Sequence, residues 1–159
     1  MTPHRSKIKT NVAPKTIAGG ESPTGNMDFL PTMHKALNKI LFVEDEPDIQ
    51  YVACLALESV GGFTVKACAS GKEALQLATN FMPDLILLDV MMPEMDGVTT
   101  LQLLRKLPGC ESIPAIFLTA KTRAQDVEQL KRAGALDIVP KPFDPMTLSR
   151  TVLEIWQRR

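Results

Sequence analysis

Four short runs, 40–43, 85–88, 115–118 and 136–139, hold apolar residues with almost no polar interruption. A run without alternation offers no solvated face. Each therefore reads as a strand covered on both sides, as in parallel sheets packed between helices. Residues 63–68 alternate instead (Phe63, Thr64, Val65, Lys66, Ala67, Cys68), which suits a strand at a sheet edge.

Between these runs the spacing changes to that of helices. Pro47 opens the first, where no backbone donor is needed. Ile49, Val52, Ala53, Ala56 and Val60 mark its inward face, and Gly61-Gly62 ends it. Ser70 and Glu73 form a capping box for the second, with Ala74, Leu75 and Ala78 inward. Gly97 leads into a third carrying Val98, Leu101 and Leu104, and Pro108-Gly109 breaks it. Thr122 and Gln125 read as another capping box, opening a fourth helix with Val127 and Leu130 inside and Gly134 as its left-handed cap. Asp144-Pro145 reads as the start of a fifth, with Leu148, Val152 and Ile155 inward. Strand and helix thus alternate five times, which predicts right-handed crossovers and a parallel sheet with helices on both faces.

Composition adds an asymmetry. The formal net charge is zero, so nothing in the totals suggests nucleic acid as a partner. Residues 1–39 nevertheless carry six Lys or Arg against two acids, leaving the remainder mildly acidic. The first 33 residues hold four prolines and little bulky apolar material. Such a segment cannot offset its ordering entropy by burial. The chain therefore divides into a flexible, mildly basic tail over 1–35 and a folded domain over 36–159. Phe29, Leu30 and Met33 are placed to start a short helix there. Cys54, Cys68 and Cys110 lack metal-type spacing and are odd in number, which suits a reducing compartment. With no apolar run of transmembrane length and no apolar leader, the expected location is cytoplasmic, away from the membrane.

Candidate chemistry gathers at the carboxyl ends of the strands, where open parallel sheets place their sites. Strand 1 ends in Glu44-Asp45-Glu46 and strand 3 in Asp89. Strand 4 ends in Thr119-Ala120-Lys121, and strand 5 leads to Lys141-Pro142-Phe143. Each is a group able to handle a metal ion or a phosphoryl group. A carboxylate that takes up a phosphoryl group forms an acyl phosphate, a reactive mixed anhydride. Bringing anion to anion needs a divalent cation, and Mg²⁺ favours oxygen ligands.

Together these residues, with the loop Met91-Met92-Pro93-Glu94-Met95-Asp96-Gly97, resemble the receiver domain of two-component response regulators, the CheY family. The resemblance covers roughly residues 39–159. It implies a flavodoxin-like sheet of order 2-1-3-4-5. It also implies Asp89 as phosphoacceptor, Mg²⁺ on Glu44, Asp45, Asp89 and the Met91 carbonyl, and phosphoryl contacts from Thr119, Ala120, Val90 and Lys141. A cis Lys141-Pro142 bond belongs to the same pattern. Thr119 is then the switch residue. Ile138 stands where the family often has an aromatic, so a Thr–aromatic coupling is not expected.

The implied protein is a single-domain regulator, a phosphoacceptor rather than an enzyme acting on other substrates. A histidine kinase or histidine phosphotransfer domain would be its donor. Helix 1 would be the docking surface, and the face made by helix 4, strand 5 and helix 5 would meet the target or a second copy in a homodimer. Two other readings stand beside it. An aspartyl-nucleophile phosphatase of the haloacid dehalogenase type usually carries Asp-x-Asp after strand 1, where this chain has Glu44-Asp45-Glu46. A receiver-like binding module that never uses phosphate would be expected to lack one of the acidic, Thr or Lys residues.

Overall fold

A computed structural model describes residues 35–159; the tail over 1–34, with Phe29, Leu30 and Met33, lies outside the described residues. Five strands alternate with five helices in chain order. They are β1 (Lys39–Val43), α1 (Pro47–Leu55, continued by a π-helical turn over Ala56–Val60), β2 (Thr64–Cys68), α2 (Gly71–Phe81), β3 (Leu85–Asp89), α3 (Gly97–Leu104), β4 (Ala115–Thr119), α4 (Ala124–Arg132), β5 (Asp137–Pro140) and α5 (Leu148–Arg158). The strands are parallel in the order β2-β1-β3-β4-β5. This is the flavodoxin-like, doubly wound order anticipated from the sequence.

The period of two along each strand sorts side chains onto two cores. Leu41, Val43, Ile86, Leu88, Ala115 and Phe117 face α2, α3 and α4 through Ala74, Ala78, Leu101, Leu104 and Leu130. Ile40, Phe42, Leu85, Leu87, Ile116 and Leu118 face α1 and α5 through Ala53, Leu57, Leu148, Val152, Ile155 and Trp156. Every residue of β3 from Leu85 to Leu88 is fully buried, which explains its unbroken apolar run. Burial of each such side chain stabilises the fold by about 1.5–3 kcal/mol. The edges are blunted against further pairing, by exposed Lys66 on β2 and by the shortness of β5, which ends in Pro140.

The foot of the sheet has its own anchor. Asp84 accepts the backbone N–H of Asn38 at 3.0 Å and of Lys39 at 2.8 Å, and pairs with Lys35 at 2.7 Å. Burial alone would raise its pKa; the Lys35 ammonium and the two N–H donors outweigh that and hold it below the usual carboxylate range. Trp156 donates its indole N–H to the Lys35 carbonyl at 2.9 Å. The entry to β1 is thus tied to β3 and to α5.

Local geometry follows the pattern in most places. Ser70 accepts from Glu73 N–H at 3.1 Å, and Glu73 returns a bond to Ala69 N–H at 2.9 Å. Gly134, at φ 110°, closes α4 with the paired bonds Ala135 N–H to Leu130 and Gly134 N–H to Lys131.

Three expectations need correction. The inward face of α1 is Ala53, Ala56 and Leu57, while Val60 is 54% and Val52 39% exposed. The last turn widens, with Gly61 N–H reaching back five residues to the Ala56 carbonyl. A wider turn advances less per residue and leaves Val60 short of the core. The N-cap of α4 is Arg123, which makes no side-chain cap bond, so Thr122 and Gln125 form no capping box. Instead Arg123 pairs with Asp126 in the first turn at 3.4 Å. Finally, Asp144 accepts from Met146 N–H at 2.9 Å and so caps a turn that precedes α5, which begins at Leu148.

Candidate functional site

Strand register assembles the site. Val43 stands opposite Leu88, so the next residue, Glu44, is level with Asp89. Asp89 pairs with Leu118, which sets Thr119 one step beyond, and Thr119 pairs with Pro140, which delivers Lys141 beyond that. One-residue slips would send these side chains to the opposite face, so core packing fixes the constellation.

Glu44 is fully buried and Asp89 is 3% exposed. The Lys141 ammonium lies 2.6 Å from Glu44 Oε1 and 3.2 Å from Asp89 Oδ1, with the Lys141-Pro142 bond cis. Glu44, Asp45 and Asp89 each offer an oxygen within 4.8 Å of the others. At an effective dielectric of about 20, two full negative charges that close repel by roughly 3.5 kcal/mol. A single ammonium cannot neutralise three such groups. Glu44 Oε2 and Asp45 Oδ1 are buried and accept no hydrogen bond. Hard oxygen donors left without partners, two of them on adjacent residues, fit a magnesium-type cation.

The electrostatics follow from the crowding. Loss of water, and then the neighbouring Asp89, push the Glu44 carboxyl up to about 8. Its short contact with Lys141 works the other way and would favour the ionised form. Burial wins here because the side chain is fully buried and shares its space with a second acid. Burial would lower the Lys141 pKa, but Glu44 and Asp89 together raise it.

Backbone contacts hold the loops. Gln50, in the first turn of α1, donates Nε2 to the carbonyls of both Glu44 and Cys68 at 3.0 Å, clamping the acidic loop onto the end of β2. The Glu44 N–H also bonds to the Cys68 carbonyl at 2.9 Å. Nothing in the sequence singled out Gln50, because a polar residue in a first helical turn is ordinarily solvated. Asp96 caps α3 by accepting Thr99 N–H at 2.8 Å. A Cβ at Gly97 would stand 2.3 Å from the Asp89 carbonyl oxygen, so β3 can turn into α3 only over a glycine.

The other expected residues are placed as follows. Thr119 is 2% exposed, and its hydroxyl oxygen accepts Lys121 N–H at 3.0 Å. Ala120 is exposed beside it. Met91 N–H approaches Asp89 Oδ1 at 3.4 Å, and its side chain is 65% exposed at the rim. Met92 is buried. Ile138 lies opposite Phe117 and packs, half-buried, on the core under α2, α3 and α4. The Val90 N–H is taken by the Leu118 carbonyl at 3.1 Å, the ladder bond that continues β3 beside β4. The loop N–H turned toward the Asp89 carboxylate belongs to Met91.

Two cavities flank the site. One of about 260 Å³ lies between α1 and the β5–α5 loop, walled by Ile49, Val52, Pro142 and Phe143 and bounded by Lys141. Tyr51, Leu55 and Met146, all in the same two segments, are exposed. The other, about 270 Å³, is lined by Val90, Met91, Val98, Thr119 and Lys121 from the loops, with Leu130 from α4.

Comparison with known proteins settles the family. The model of the response regulator receiver domain matches residues 40–153. The chain belongs to that family. An uncharacterised 14.6 kDa protein of Leptolyngbya boryana is 42% identical over 113 residues, covering 71% of this chain and 86% of that one. Among solved structures, Vibrio cholerae chemotaxis protein CheY4 is similar at a TM-score of 0.70 and 32% identity, covering 76% of this receiver domain chain and 99% of CheY4. The receiver domain of sensor histidine kinase PA1611 from Pseudomonas aeruginosa, crystallised with magnesium coordinated in its active-site cleft, is similar at 0.67 and 34% identity over 78% of this chain and 100% of that one. Other curated relatives are longer: this chain spans between 23% and 52% of their length. No helix among the described residues is long and apolar enough to cross a membrane.

Proposed function

We propose that this receiver domain accepts a phosphoryl group on Asp89 from a phosphohistidine of a histidine kinase or phosphotransfer domain, and passes the signal on by changing its affinity for another protein. The N–P bond of the donor breaks as an O–P bond forms on Asp89, and the imidazole departs with the electron pair and then takes up a proton. The observation that carries this reading is the Lys141 ammonium seated between Glu44 and Asp89 at the mouth of an acidic cluster with unsatisfied oxygens.

Glu44, Asp45 and Asp89 would hold Mg²⁺, with the Met91 carbonyl as the further ligand implied by family resemblance. When bound, the cation offsets the repulsion between the acceptor and the incoming phosphoryl oxygens. Lys141 supplies a compact charge to those oxygens, and Met91 N–H is placed to donate to them. Thr119 gives up its bond from Lys121 N–H and turns its hydroxyl to the phosphoryl group, which biases the β4–α4 loop between two arrangements. The apolar cleft beside Lys141, with exposed Tyr51, Leu55 and Met146, suits a partner helix bearing the donor histidine.

The test is phosphoryl uptake from acetyl phosphate with Mg²⁺, followed by intact mass. Wild type gains one phosphoryl group, and Asp89→Asn and metal-free protein gain none. Undiminished uptake by Asp89→Asn would refute the acceptor assignment. Sustained turnover of p-nitrophenyl phosphate would point to a phosphatase instead.

A further inference from the structure

Glu44 is the first residue past β1 and is buried without any water-exposed surface. Its two oxygens stand in different situations. Oε1 accepts the Lys141 ammonium at 2.6 Å, the shorter of the two contacts that lysine makes in the cluster. Oε2 is buried with no donor. Lys141 itself comes from a loop 97 positions away in sequence, and its side chain is 14% exposed. A lysine stem has four rotatable bonds, and a chain that flexible holds its end in one place only when something fixes the ammonium. Asp89 cannot be the sole fixture, because its Oδ1 lies farther from the ammonium and is also approached by Met91 N–H. Gln50 and the Cys68 carbonyl in turn hold the Glu44 backbone, which fixes the point from which its side chain extends.

We infer that Glu44 is the positioning residue for Lys141, holding its ammonium through Oε1 while Oε2 remains for the cation's hydration shell. The inference rests on the proposed phosphoacceptor reading only for its consequence in phosphoryl uptake; the hold on Lys141 exists in the metal-free chain. It assigns the length of the Glu44 side chain a purpose. An aspartate there would still present a carboxylate to the cation, but one methylene less would draw the carboxylate back by about 1.5 Å and leave Lys141 without its contact.

The experiment compares wild type with Glu44→Asp and Glu44→Gln. Full-length protein in a chelator is treated briefly with acetic anhydride, and acetylation of Lys141 is read by peptide mass spectrometry against Lys72 and Lys106 as internal references. In wild type, Lys141 is labelled slowly; in Glu44→Asp its rate rises about tenfold, the equivalent of one charge-assisted hydrogen bond. Glu44→Gln, which keeps the length and one acceptor oxygen, falls between. Calorimetric titration with Mg²⁺ is the companion measurement on the same samples, and it reads separately what each substitution does to the metal site. At saturating Mg²⁺, phosphoryl uptake by Glu44→Asp is slower than that of wild type. Lys141 as protected in Glu44→Asp as in wild type would overturn the positioning role. Wild type that binds no Mg²⁺ while showing the labelling difference would instead overturn the phosphoacceptor reading and leave Glu44's hold on Lys141 standing. Thermal unfolding of each variant shows that the labelling is of folded protein.

Discussion

Replacing Glu44 with glutamine probes the charge state of the buried cluster. In the metal-free protein its carboxyl is pushed up from 4.5 to about 8 by loss of water and by Asp89. The unfolded chain releases that proton near 4.5 and the folded chain near 8. Between these values the native state binds more protons, so stability falls as pH rises. The contribution is fully present below 4.5 and is lost by the time pH has passed about 8. Each pKa unit corresponds to about 1.4 kcal/mol, which caps the whole effect at roughly 5 kcal/mol. Glutamine has the shape of the protonated acid and does not titrate. The variant should match wild type near pH 5 and exceed it by roughly 3 kcal/mol near pH 8, a difference of roughly 10 °C in Tm for a domain this size. Groups remote from the cluster cancel in the comparison, and Lys141, whose pKa Glu44 and Asp89 raise, stays charged throughout this window. Urea unfolding followed by the single tryptophan, Trp156, 4% exposed, measures it in the presence of a chelator. Saturating Mg²⁺ should shrink the difference, because the cation stabilises the ionised wild-type cluster. A variant less stable than wild type by the same amount at every pH would show that the Lys141 contact keeps Glu44 ionised, and would refute the argument from burial.

Gly97→Ala places a methyl against the Asp89 carbonyl and should cost about 2 kcal/mol or more in chemical denaturation, with weaker Mg²⁺ binding by calorimetry. Leu57→Ala should lose about 2–5 kcal/mol, whereas Val60→Ala at the exposed end of the π turn should change stability by less than about 0.5 kcal/mol. Equal losses at the two positions would mean that α1 ends as a regular α-helix. Asp84→Ala leaves the N–H groups of Asn38 and Lys39 without their acceptor and should cost about 2 kcal/mol at pH 7. The same deficit should fade in acid, because the lowered pKa of Asp84 means its contribution is lost as pH falls through the folded value.

The strands and the residues at their carboxyl ends were legible because both follow from local rules, whereas the strand order came from the family resemblance. Unbroken apolar runs at 85–88 and 115–118 can only be strands buried on both faces, and both are. The residues that follow each run lie at the same edge of a parallel sheet, so the pattern alone collects Glu44, Asp89, Thr119 and Lys141 at that edge. Caps fared unevenly. Ser70 and Glu73 met their box, but the Thr122 and Gln125 spacing did not, because Arg123 takes the N-cap position itself and pairs with Asp126 in the first turn.

What the chain's pattern settled, then, is the alternation of elements, the two buried faces and the residue types collected at one edge, since periodicity and strand polarity are properties of a few consecutive residues. What needed the folded chain is everything set by contacts between distant segments. The Gln50 clamp, the Asp84 anchor and the Leu118 carbonyl that takes the Val90 N–H all depend on which group lies across the gap. The same holds for Lys141 resting on Glu44 more closely than on Asp89, a difference of 0.6 Å that register allows but side-chain packing sets.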